Sequence, residues 1–130
     1  MKIQILSTVF LVALNASVLA TPGERSPIFT PLGDLLGGGF SSCAIAASAD
    51  GTVVVGQGRS TYGWQAFRWR AKVGMIGLGD LPGGPFDSVA WAVNADGTVV
   101  VGSSNRDDES SGEAFVWTAF GGMIGLGEPV

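Results

Sequence analysis

The sequence predicts an all-β protein built of tandem four-stranded antiparallel repeats, shaped as partial β-propeller-like blades. Three observations carry that prediction. The chain repeats itself at a period of 46 to 48 residues, each period holds four short apolar runs parted by turn residues, and glycine is abundant at 21 of 130 residues. A period of that size with four strands matches one propeller blade.

In chain order, residues 1–20 have the pattern of a cleavable export signal. Lys2 supplies the positive start, residues 3–14 are apolar apart from Gln4, Ser7 and Thr8, and Val18-Leu19-Ala20 sets Val18 and Ala20 where signal peptidase needs small side chains. Residues 21–28, opened by Thr21-Pro22, form a linker. No second hydrophobic span follows, so no retained membrane span is expected. The expected location is therefore exported: periplasmic, cell-surface or secreted.

Repeat unit 1 is assigned to residues 29–74, unit 2 to residues 75–122, and residues 123–130 to the start of a truncated third unit. Leu32-Gly33-Asp34-Leu35 returns as Leu78-Gly79-Asp80-Leu81, and Ala49-Asp50-Gly51-Thr52-Val53-Val54-Val55-Gly56 returns as Ala95-Asp96-Gly97-Thr98-Val99-Val100-Val101-Gly102. Between residues 32–56 and 78–102, 18 of 25 positions are identical. Ala66-Phe67-Arg68-Trp69 pairs with Ala114-Phe115-Val116-Trp117, now 48 apart, which places the length difference in the loop before each third strand.

Unit 2 shows the four runs most plainly. In Ser88 to Asn94, Val89, Trp91 and Val93 alternate with Ser88, Ala90 and Ala92, which predicts a strand with one large and one small face. Ala95-Asp96-Gly97 is a hairpin turn, as is its counterpart at Asp50-Gly51: Asp bonds the local backbone and Gly accepts a positive φ. Thr98 to Val101 is apolar on both faces, as in a strand held between layers. Asn105 to Gly112 is a polar loop. Glu113 to Thr118 sends Phe115 and Trp117 to one side, and the fourth run repeats Met75 to Leu78, which Pro82-Gly83-Gly84-Pro85 follows. Arg68 and Arg70 stand where unit 2 has Val116 and Thr118, so that face of unit 1 is expected to be the more exposed. Cys43 aligns with Val89 and is expected to be a buried small hydrophobe. No helix is predicted after the signal.

These units resemble the HAF-family extracellular repeat of bacteria. The resemblance rests on Gly77-Leu78-Gly79-Asp80-Leu81-Pro82-Gly83-Gly84, on Ser88 and Ala90, on Asn94 through Gly102, and on Ala114-Phe115-Val116-Trp117. It implies a secreted or surface-displayed repeat protein with no established catalysis. The histidine of the family's His-Ala-Phe element is replaced here, by Gln65 before Ala66-Phe67 and by Glu113 before Ala114-Phe115.

Composition narrows the chemistry. With no His and a single Cys, the chain can build neither a Ser-His-Asp or Cys-His relay nor a disulfide framework nor a thiolate cluster. Seven Lys and Arg against eleven Asp and Glu argue against a nucleic-acid partner. Asp50 with Asp96, or Asp34 with Asp80, share their residue type with the carboxylate pairs of glycosidases, but their place beside turn glycines marks Asp50, Gly51, Asp96 and Gly97 as structural. Asp107-Asp108-Glu109 lacks the alternate spacing of a calcium loop, and Gly77 to Gly84 lacks the Lys and Ser/Thr of a phosphate loop. Trp69 and Trp117 are equivalent positions expected in the core, whereas Tyr62 and Trp64, in a variable polar loop, are the candidate ligand contacts.

The reading that results is a non-enzymatic exported β-repeat protein presenting residues 57–63 and 103–112 for binding or adhesion, with no cofactor and no catalytic or metal-binding residue. The partner expected is a surface polysaccharide or a protein. A second reading is a structural segment that makes a homo-oligomer through open strand edges, since repeat arrays need three or more units for a continuous core. A carbohydrate-active enzyme using two aspartates is the third.

Overall fold

The computed structural model describes residues 26–105 and 112–127. The export signal at residues 1–20, the acidic run Asp107-Asp108-Glu109 and the final three residues lie outside that range. The described residues contain eight strands and no helix: β1 (Gly37–Ala47), β2 (Val53–Ser60), β3 (Trp64–Arg70), β4 (Gly74–Gly79), β5 (Ser88–Val93), β6 (Val99–Ser104), β7 (Glu113–Thr118) and β8 (Gly122–Gly125). They form two four-stranded antiparallel sheets in the orders β1-β2-β3-β4 and β5-β6-β7-β8. Hydrogen bonding cuts the sequence cycle after its fourth strand, so Gly74–Gly79 pairs with β3 and Gly122–Gly125 with β7.

The repeated Asp-Gly turns explain how each sheet starts. Asp50 Oδ1 accepts from the Thr52 N–H (3.0 Å), the Thr52 hydroxyl (2.8 Å) and the Ser48 hydroxyl (2.9 Å). Asp96 Oδ1 accepts from the Thr98 N–H (3.0 Å) and hydroxyl (2.6 Å). Gly51 and Gly97 take φ of 72° and 76°, a left-handed geometry that a Cβ would strain. Each aspartate thus accepts donors from within its own turn, including one backbone N–H.

The first strand of each sheet departs from simple alternation. Its register slips between Ala44 and Ala46 and again between Ala90 and Ala92, leaving Ile45 and Trp91 as the extra residues of β-bulges. The expected large face of Val89, Trp91 and Val93 does not form: Trp91 is turned outward and Ala90 is fully buried. Opposite each bulge stands a glycine, Gly56 or Gly102, paired with Phe67 or Phe115 on the third strand. A Cβ on either glycine would collide with the bulge carbonyl of Cys43 or Val89 and crowd the phenylalanine ring. The repeated Val-Val-Val-Gly is thus the footprint of a bulge and of an aromatic ring lying across it. Cys43, expected to be buried, is exposed, because the bulge lies at the sheet's first, open edge.

The core lies between the sheets. Val53, Val55, Ala66 and Leu78 of the first sheet cluster with Ala90, Val100, Phe115 and Trp117 of the second, and Leu81 of the connection joins them. Across the first sheet the row Val55–Arg68–Ile76 runs in register, and across the second the row Val100–Trp117–Met123. These rows belong to opposite faces of the repeat, and they meet. Fully burying Val55, Val100 and Phe115 contributes about 1.5–3 kcal/mol each before entropy is counted.

Arg68 corrects a second expectation. It is only 7% exposed. Its guanidinium lies 5.6 Å from the Trp117 ring centroid, and its Nε and Nη2 donate to the Gly97 carbonyl at 3.0 and 2.7 Å. The arginine face of unit 1 is the face that unit 2 covers. Two hydrogen bonds and an aromatic face compensate the desolvation of the charge, and the long aliphatic stem fills the space between layers. Burial together with the nearby Arg70 charge lowers the Arg68 pKa from its ordinary value.

Candidate functional site

The β2–β3 hairpin of the first sheet ends in Thr61, Tyr62 and Gly63. Ser60 closes it: its N–H and hydroxyl both donate to the Gly63 carbonyl (2.8 and 3.0 Å), and its oxygen accepts from the Tyr62 N–H at 3.3 Å. Gly63 has φ of 148°, and a Cβ there would strike the Phe86 carbonyl. The hairpin therefore sits hard against the segment that leads into β5, where Trp64 also forms an isolated bridge with Asp87.

That close approach gathers aromatic side chains. Tyr62 is 76% exposed, and its ring centroid lies 5.5 Å from that of Phe86 at an interplanar angle of 39°. Trp64 is 36% exposed, with the Arg59 guanidinium 5.6 Å from its ring centroid. Behind the aromatics, Gln57 Nε2 donates to Asp87 Oδ1 (3.0 Å) and to the Ser88 carbonyl (3.1 Å), tying β2 to the start of β5. The result is a platform of two pairs at the tip of the hairpin, Tyr62 with Phe86 and Trp64 with Arg59, on a framework tied to β5 through Gln57. Flat rings with a guanidinium beside them suit stacking on a planar or apolar face, with polar edges left to water.

Both sequence-predicted contacts, Tyr62 and Trp64, reach this platform. Their setting differs from the expectation in one respect. Residues 57–60 and Trp64 belong to strands, so the loop is three residues long and the platform is more rigid than a variable loop would be. Ser103 and Ser104 likewise belong to β6. Gln57 and Arg59 lie within the stretch 57–63 expected to be presented for binding, though neither is named there as a contact, and Phe86 and Asp87 carry no signal of their own in the sequence. Phe86 repeats Phe40, yet Phe40 is fully exposed; the repeat alone does not separate them.

The carboxylates sort differently. Ala49 N–H donates to the Ala95 carbonyl at 3.1 Å, so the Asp50 and Asp96 turns are neighbours. Backbone and hydroxyl donors from Thr52 hold the Asp50 carboxyl below its ordinary pKa, and those of Thr98 do the same for Asp96. Neither is raised, whereas acid–base hydrolysis needs one carboxyl raised to donate a proton. Asp80 is the one shifted upward, chiefly by burial against the lowering effect of the Ser104 hydroxyl that donates to it. It is occupied in structure: the same hydroxyl oxygen accepts from the Leu81 N–H at 2.9 Å. Among the described residues no group of three or more His, Cys, Asp or Glu is placed to hold a metal ion.

Gln65 and Glu113, the residues that replace the histidine of the resemblance, have the same task in both sheets. Gln65 Oε1 accepts from the Gly79 N–H at 3.2 Å, and Glu113 Oε1 from the Gly127 N–H at 2.9 Å. Any side chain with an acceptor at that reach could secure the turn after the fourth strand.

Compared with known proteins, the chain matches no family model, no curated protein and no solved structure.

Proposed function

We propose that the chain is a non-enzymatic, exported β-repeat protein of the HAF extracellular type, and that it acts by holding the Tyr62–Phe86–Trp64–Arg59 platform toward a surface polysaccharide or protein ligand. One observation carries the reading: Tyr62 leaves three quarters of its surface in water although Phe86 and the Ser60–Gly63 closure fix its position. A ring that is both exposed and pre-positioned loses little entropy on stacking. The apolar export pattern of residues 1–20 supports a location outside the cell, and the lowered pKa values of Asp50 and Asp96 support a turn role over acid–base work.

The test is binding to glycan arrays and to intact bacterial surfaces by the wild type and by Tyr62→Ala and Trp64→Ala variants. Each substitution is expected to weaken binding roughly two- to tenfold, in line with about 0.5–1.5 kcal/mol for an aromatic contact, with the circular dichroism spectrum unchanged. Equal binding by the double variant would overturn the assignment of the platform.

A further inference from the structure

The interface between the two sheets is made from two unlike halves, and the chain carries a spare copy of each. In the buried interface, the row Val55–Arg68–Ile76 of the first sheet meets the row Val100–Trp117–Met123 of the second. The repeat equivalents of these rows are Val101–Val116–Ile124 on the far side of the second sheet and Val54–Trp69–Met75 on the far side of the first. Among the described residues neither spare row is covered as its counterpart is. Val101 is 41% and Ile124 52% exposed, against 0% for Val55, and Val54 and Trp69 are half-buried where Val100 is at 0% and Trp117 at 8%.

From this match we infer that a second copy of the chain docks head to tail, setting its Val54–Trp69–Met75 row on the Val101–Val116–Ile124 row of the first. The contact repeats, between chains, the packing already made within one. Several details recur in the spare halves. Gly51 is open, as Gly97 would be without Val53 beneath it, and Val99 stands ready to fill the equivalent place. A shallow cavity of about 440 Å³ lies beside Trp69, lined also by Gly51, Thr52, Arg70, Ala71, Lys72 and Val73, where Trp117 in the second sheet is covered by Arg68. Ser42 Oγ donates to the Gly33 carbonyl at 3.1 Å as Ser88 Oγ donates to Gly79 at 2.6 Å. Ser88 also accepts from the Ala66 N–H at 2.9 Å, and Ser42 is placed to receive Ala114 of the neighbour in the same way. The Val101 row carries no charge to oppose docking. It does lack the arginine, since Val116 replaces Arg68, so the contact between chains is weaker than the one within.

Such an interface is heterologous: each copy uses two different patches, and association continues until a ring closes or a filament grows. It uses sheet faces, not the strand edges.

The experiment measures the mass of the full chain by sedimentation velocity across a range of micromolar concentrations. The wild type is expected to associate reversibly. Val101→Lys disables one patch and Val54→Lys the other, and each alone is expected to shift association by roughly a hundredfold in concentration, since either buries an unpaired charge. The two variants mixed are expected to form a one-to-one heterodimer that stops there, because each keeps the half the other has lost. Ile124→Glu and Met75→Glu repeat the experiment should either lysine variant fail to fold. A monomeric wild type, association untouched by both substitutions, or a mixture that stays monomeric while both variants are folded would overturn the inference. The platform variants Tyr62→Ala and Trp64→Ala are expected to associate as the wild type does, which separates this result from the ligand reading.

Discussion

The two sheets have the same strand order and nearly the same turns, yet equivalent residues have unlike surroundings. Val55 is sealed and Val101 is open; Trp117 is sealed and Trp69 is half-open. The difference follows position: the first sheet offers one face to the interface, and the second offers the other. Copies of one sequence cannot both be optimal under those conditions, and substitution follows the divide. Arg68 stands where a long side chain can cross to the neighbouring turn, and Val116 on a face that is half-open to solvent.

The strongest way to break this asymmetry is at that pair. Arg68→Ala leaves the buried Gly97 carbonyl without its donors and uncovers Trp117, and is expected to cost about 2–4 kcal/mol. Val116→Ala on the open face is expected to cost less than about 1 kcal/mol. Urea denaturation of both variants measures the gap, and equal losses would show that Arg68 does not clamp the layers.

The turn glycines make a second comparison. Gly51→Ala and Gly97→Ala both strain a positive φ, at about 1–2 kcal/mol. At Gly97 the new methyl also collides with Val53, whereas at Gly51 nothing lies within 4 Å. The Gly97 variant should therefore be less stable by a further 1–3 kcal/mol or so, as overpacking is. Thermal melting of the two decides this.

Smaller and opposite in sign is the case of Asp34. Its repeat partner Asp80 receives the Ser104 hydroxyl, but the residue equivalent to Ser104 is Gly58, and Asp34 Oδ1 is buried with no hydrogen-bond partner. A Cβ at Gly58 would meet Leu35 and Ser42 at 3.4–3.5 Å, ordinary contact distances. Gly58→Ser is expected to supply the missing donor and stabilise the chain by about 1 kcal/mol, while Ser104→Gly loses a similar amount. Denaturant midpoints of the two should move in opposite directions.

The least effect is expected from pH. Asp50 and Asp96, with folded pKa values below 3.8, contribute stability that is present above that value and is lost as pH falls through the folded values. Asp80, raised above 3.8, contributes stability that is present below it and is lost as pH rises through the folded value. Asp80→Asn removes the opposing contribution, so its urea midpoint should fall more steeply than that of the wild type between about pH 6 and pH 3. An unchanged slope would mean that Asp80 is not burdened by its burial.

Much of the architecture was legible because the repeat displays it twice. Two copies of an Asp-Gly turn before a valine run identify hairpins, and the third strand, Glu113–Thr118, falls where its Phe-x-Trp pattern puts it. Alternation failed at Val89, Trp91 and Val93, since one inserted residue reverses every side chain after it and a bulge has no signature in a strand read alone. Gly102 held the clue, standing where only a missing Cβ admits both a bulge carbonyl and a ring. At the platform, Tyr62 and Trp64 were legible as aromatics in a polar stretch. Phe86 was not, because its partner at Phe40 has the same sequence setting and only the approach of the hairpin to Asp87 distinguishes them.

The strands, their turns and their duplication follow from backbone preference and from side chains a few residues apart. Which faces meet follows only from how the two sheets pack. A strand apolar on both sides is ready to be covered on either, and its own residues do not say which. Once the second sheet laid its Trp117 face on the first, Arg68 became interior and Val101 stayed in water, although sequence polarity alone would have placed them the other way round. Burial belongs to the pair of surfaces, and no single strand encodes it.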